Sequence, residues 1–119
     1  MNYSEAKKKY ELLKNPPDNA DAKWNRQRGR DLEVIFKALL ENESLKPRIR
    51  FKPNGEELDG SFYAFQKYFL IELKWHAKPI AASVLYSFKG KVDGKLIGTI
   101  GIFISMRLFQ KSPKVRFFK

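Results

Sequence analysis

The stretch Tyr68-Phe69-Leu70-Ile71-Glu72-Leu73-Lys74-Trp75 constrains the chain most, because it sets a carboxylate and an ammonium inside an apolar run. Its length and aromatic content predict a strand over 68–75. Side chains two apart on a strand share a face, so Glu72 and Lys74 project together while Ile71, Leu73 and Trp75 project oppositely. Charges placed there are costly to desolvate unless something pairs or uses them. Upstream, Pro53-Asn54-Gly55 is turn chemistry that delivers a strand over 56–63. A second turn over 64–67 makes that strand an antiparallel neighbour of 68–75. Asp59 then converges with Glu72 and Lys74 on one small polar site. Glu57 has the same parity as Asp59 and is read as a solvent-exposed acid.

The rest of the chain supplies layers for this hairpin. Residues 3–14 predict a short basic helix with Ala6, Tyr10 and Leu13 along one side, ended by Pro16-Pro17. A second helix is predicted over 21–42, where Leu32, Ile35, Phe36, Leu39 and Leu40 follow the spacing of a core-facing stripe. Glu33 lies at the border of that stripe, open either to a site beside the sheet or to a surface pair with Lys37. Arg48-Ile49-Arg50-Phe51-Lys52 alternates as a half-buried first strand would. After the hairpin, Pro79 suits the first turn of a helix whose core face is Ile80, Val84 and Phe88. Gly98 to Met106 reads as a buried strand, parallel to 68–75 across a helical crossover. Residues 110–119 show no amphipathic period. The expected organisation is a basic helical extension over 1–20, an α/β domain over 21–108 and an irregular basic tail over 109–119.

The order of these elements, with Asp59, a spacer and then Glu72-Leu73-Lys74, resembles the PD-(D/E)xK nuclease superfamily. Arg28-Gly29-Arg30-Asp31-Leu32-Glu33 before the hairpin sharpens the likeness. So do Phe88-Lys89-Gly90-Lys91-Val92 and Gly98-Thr99-Ile100-Gly101-Ile102-Phe103-Ile104-Ser105 after it. Together they are similar to the restriction-endonuclease-like (Mrr-like) branch, over about residues 28–106. Leu58 stands before Asp59 where the motif has proline. The resemblance implies an α/β fold with a mixed four-stranded sheet flanked by helices, in α-β-β-β-α-β order, its C-terminal part incomplete here. It implies a metal-dependent DNA endonuclease with Asp59, Glu72, Lys74 and Glu33 at the catalytic centre. The Leu73 carbonyl is a further metal ligand on this likeness.

Chemistry and composition fit that expectation. Asp59 and Glu72 offer hard oxygen donors suited to Mg²⁺ or Mn²⁺. Lys74 is placed to orient a water and to meet developing negative charge. The plain alternative is an ion pair between Glu72 and Lys74 at a strand edge. His76 shares their face and is read as the end of the strand. A formal charge of +11, from 24 basic against 13 acidic residues, points to a polyanionic partner. Lys89, Lys91 and Lys95, after the site, are candidates to grip phosphate. Gly90-Lys91 through Gly94-Lys95 is not a phosphate-binding P-loop, since Leu96 stands where Ser or Thr is required. The lack of cysteine excludes disulfides and thiolate zinc sites and suits a reducing cytoplasm. No apolar run is long enough to span a bilayer. A homodimer would cover the surface left by the incomplete C-terminal part. The rival functions are a catalytically inactive nucleic-acid-binding module of the same fold, and a basic scaffold protein.

Overall fold

The first two helices begin on a side-chain cap. In the computed structural model, which describes residues 1–51, 57–76, 80–107 and 114–119, α1 spans Tyr3–Lys14. The Asn2 side chain accepts from the Glu5 N–H at 2.8 Å, and Glu5 accepts in return from the Asn2 N–H, forming a capping box. Helix α2, Ala22–Asn42, starts where Asp21 accepts from the Trp24 N–H at 2.9 Å. It stops before Ser44, whose φ of 61° lies in the left-handed region.

Strands β1 (Arg48–Phe51), β2 (Glu57–Ala64) and β3 (Lys67–His76) follow, then α3 (Ala82–Asp93), β4 (Ile100–Arg107) and β5 (Lys114–Phe118). Among the described residues these make one five-stranded mixed sheet in the order β1-β2-β3-β4-β5. β3 and β4 run parallel and every other neighbouring pair is antiparallel. The class is therefore mixed α/β with three helices, as expected, but the sheet has a fifth strand. The tail read as irregular supplies it. β4 would otherwise present a row of unpaired N–H and C=O groups, and Lys114–Phe118 takes them up. That edge, which the sequence left for a second copy to cover, is occupied by the chain itself. Pro79 lies outside the described residues. Ile80 precedes α3 and packs with Val84 and Phe88 as the spacing predicts.

Each face of the sheet has its own core. Alternation sends Leu58, Leu73, Trp75 and Met106 to one face, where they meet Leu32 and Ile35 of α2 and Ala6 and Leu13 of α1. The segment read as an extension is thus packed into the main core. Tyr10 stacks on Trp75 with ring centroids 6.1 Å apart, and the Arg28 guanidinium lies 4.5 Å from the Trp75 ring on its other contact. Burial, reinforced by the Glu11 carboxylate, raises the Tyr10 phenol above its ordinary value. On the opposite face, Phe88 and Val92 of α3 close over Phe103, joined by Leu70 and Phe118. Gly101 of β4 permits that close approach: a Cβ there would lie 2.8 Å from Phe88 Cε2 and would also collide with Val92 Cγ2. No described helix is long and apolar enough to cross a membrane.

Candidate active site

The site follows from strand register. Asp59 of β2 stands directly opposite Glu72 of β3, and Leu58 directly opposite Leu73. Leu58 and Leu73 are wholly buried against the α1–α2 layer. One residue along, Asp59 and Glu72 must therefore face the other way, toward the layer of α3. Lys74, two residues after Glu72, joins them there. The sheet thus brings together the three residues that the sequence singled out, as side chains of one hairpin face.

Register continues across the sheet. Arg50, Asp59, Glu72, Phe103 and Arg116 form one row through all five strands. Lys74, Ser105 and Lys114 lie in the row beside it. The acid pair is flanked by exposed cations at both edges, Arg48 and Arg50 on β1 and Lys114 and Arg116 on β5. Sequence reasoning did not assign these four to the site. The alternation Arg48-Ile49-Arg50 was the available signal, for it already set both arginines on one face. A groove of about 540 Å³ opens along this side of β1 and β2, with Asp59, Arg48, Arg50, Ser61 and Lys37 in its walls.

The two carboxylates differ in environment. Glu72 is buried, with 7% of its side chain exposed, and Oε1 accepts from Lys91 Nζ at 3.0 Å. Lys91 comes from α3 and remains half-exposed. It arrives there because Gly101 lets Val92, the next residue, settle onto β4. Asp59 is half-buried and makes no hydrogen bond or ion pair among the described residues. The acid pair thus sits among cations, with Lys91 on Glu72, Lys74 one place along the same strand face and Arg50 opposite Asp59.

The other sequence candidates are distributed differently. Glu33 is half-buried on α2, the layer on the far side of the sheet from Asp59 and Glu72, so it is not brought to the pair. It lies about 100° round from the buried Leu32, and only the direction of strand alternation decides whether that border meets the acids. Lys89 reaches Asp93 at 3.0 Å, one turn on along α3, and both are exposed. Lys91 contacts Glu72, and Lys95 lines a smaller cavity beside Tyr68 and Leu96. His76 is half-buried and ends β3 as expected. The Glu57 side chain lies outside the described residues.

Two facing carboxylates fit a hard divalent cation that keeps most of its water, as Mg²⁺ commonly does. They do not make an all-protein cage, since no group of three or more acidic or histidine side chains gathers among the described residues. Leu73 is wholly buried, and its carbonyl points along the sheet toward a neighbouring strand, which leaves at most a second lone pair for a cation. Comparison with family models, curated proteins and solved structures finds no significant match to this chain.

Proposed function

We propose that the chain is a metal-dependent DNA endonuclease with a restriction-endonuclease-like core, hydrolysing phosphodiester bonds at Asp59, Glu72 and Lys74. One observation carries this reading. Asp59 and Glu72 are partner residues in register on a face that also holds Lys74 and is bordered by arginines. The helix, three strands, helix and strand from α2 to β4 follow the order that the resemblance implies.

The chemistry divides among the side chains. Asp59 and Glu72 would hold Mg²⁺ or Mn²⁺, with the Leu73 carbonyl as the remaining protein donor. Such an ion supplies an activated water and polarises a phosphate oxygen. Lys74 orients the attacking water and stabilises charge that develops on the phosphate. Arg48, Arg50 and Arg116 seat the nucleic-acid backbone, a contact that fixes position without reading bases. Lys91 holds Glu72 in place and offsets its charge in the resting protein.

Nicking of a supercoiled plasmid in Mg²⁺ tests the reading, with Lys74→Ala as the decisive variant. Cleavage should fall by a few powers of ten, on the order of 3–4 kcal/mol of transition-state stabilisation. DNA affinity should hardly change, because many phosphate contacts remain. A Lys74→Ala protein that is folded, binds DNA and cuts at the parental rate overturns this assignment. The ion pair between Lys91 and Glu72 favours one second reading, an inactive nucleic-acid-binding module in which the ammonium takes the cation's place. That reading predicts salt-sensitive DNA binding with no cleavage at any Mg²⁺ or Mn²⁺ concentration.

A further inference from the structure

The β2–β3 hairpin does not end as most do. Its two-residue loop is Phe65-Gln66, and both residues have positive φ, 53° and 63°. Turns of this shape ordinarily take Asn-Gly or Asp-Gly, because other side chains are strained there. Phe65 is nevertheless 89% exposed, so no packing compensates for its conformation. Just behind it, Tyr63 and Tyr68 face each other across the strands, edge to face, with centroids 4.9 Å apart and both rings exposed. Exposed Leu96 and Ile97 follow in the loop after α3. Between that loop and the hairpin lies a cavity of about 250 Å³ walled by Tyr68, Phe69, Leu70, Lys95, Leu96 and Thr99. For scale, an apolar cavity of about 150 Å³ accommodates benzene.

We infer that this hairpin tip is a stacking platform for the unpaired bases of single-stranded nucleic acid. Three observations choose that occupant. Tyr63 and Tyr68 have the same parity as Asp59 and Glu72, so platform and acid pair lie on one continuous hairpin face. Four residues separate them along each strand, about 13 Å, which is a few nucleotides of chain. The flanking charges are positive: Lys95 lines the cavity beside Tyr68, and the groove at Asp59 is walled by Arg48 and Arg50. Aromatic faces interleaved with ammonium groups suit a strand that offers a base and a phosphate at each step. A duplex keeps its bases stacked inside, and this convex tip reaches them only after unstacking. The inference rests on the nuclease reading for what the strand is delivered to. Binding itself requires no cleavage.

Fluorescence anisotropy with a labelled oligothymidylate of about 12 nucleotides, in EDTA, tests it against a duplex of equal length. The paired change Tyr63→Ala with Tyr68→Ala should weaken single-strand binding about ten-fold or more, and duplex binding much less. Phe65→Gly removes an exposed ring and relieves the positive φ, so it should weaken single-strand binding while leaving the melting temperature equal or higher. A variant that is more stable and binds less well excludes misfolding as the cause. Unchanged oligothymidylate affinity in both variants overturns the inference. So does sedimentation in which the parent self-associates and the variants do not, with DNA binding unaltered, since the tip would then be a contact between copies. Tip-dependent binding by a protein that never cuts would uphold the platform and remove the nuclease reading.

Discussion

Lys91→Gln tests how the resting site is held together. The ammonium lies 3.0 Å from Glu72 Oε1, with Glu72 buried and 49% of the Lys91 side chain exposed. Coulomb attraction at that distance is about 1.4 kcal/mol in bulk water and about 5.5 kcal/mol at the effective dielectric of a protein surface. The desolvation of Glu72 offsets much of this, and water reaching Lys91 screens it further. Losing the ammonium should therefore destabilise the metal-free protein by about 1–2 kcal/mol, lowering Tm by roughly 3–8 °C for a domain of this size. Mn²⁺ should then narrow the gap, because a ten-fold gain in affinity recovers at most about 1.4 kcal/mol at saturation. In the parent a cation competes with Lys91 for Glu72, whereas in the variant it has no such competitor, so its apparent affinity should tighten by about ten-fold. Scanning calorimetry over a Mn²⁺ titration measures both effects, and a cycle with Glu72→Gln isolates the pair. Equal Tm values without metal, or an equal metal-induced shift in both proteins, would refute the account of Lys91 as a stand-in charge.

Gly101→Ala should lower stability by about 1–3 kcal/mol, read by urea denaturation, because the new methyl collides with Phe88 and Val92 and must push α3 off the sheet. Tyr10 gives a pH signature. Its folded value is raised above 10.0 by burial and by Glu11, so the stabilisation is fully present below pH 10.0 and is lost as pH rises through the folded value. Tyr10→Phe should flatten that alkaline loss in chemical denaturation between about pH 9 and 11, and an unchanged pH slope counts against the assignment.

Much of this arrangement is legible locally. Asn2, Asp21 and the Pro16-Pro17 pair mark helix ends by chemistry confined to a few residues. The juxtaposition of Asp59 with Glu72 follows from period-two alternation and one short turn, both local properties. β5 is not legible in that way. Lys114–Phe118 is short, largely exposed and basic, and becomes a strand only because β4 offers an edge at the right distance. Lys91 escapes for a similar reason. Its reach to Glu72 depends on α3 sitting tight on Gly101, a contact between segments that no periodicity in either one encodes. Glu33 shows the converse limit: its helix and its angular position were readable, whereas the side of the sheet that the helix covers was not.

The arginines and lysines on β1 and β5 also stand on the two outermost strands of the sheet. An outer strand is an invitation to intermolecular β pairing, and projecting charges are a common way of refusing it. Arg48 and Arg50 at one margin and Lys114 and Arg116 at the other repel a second molecule as effectively as they attract a phosphate. Neutralising them to weaken DNA binding would strip both margins of that repulsion. Charge-removal variants of this protein should therefore be read by colloidal stability as well as by affinity, because loss of binding and the onset of fibrillar or amorphous association would arise from the same four side chains.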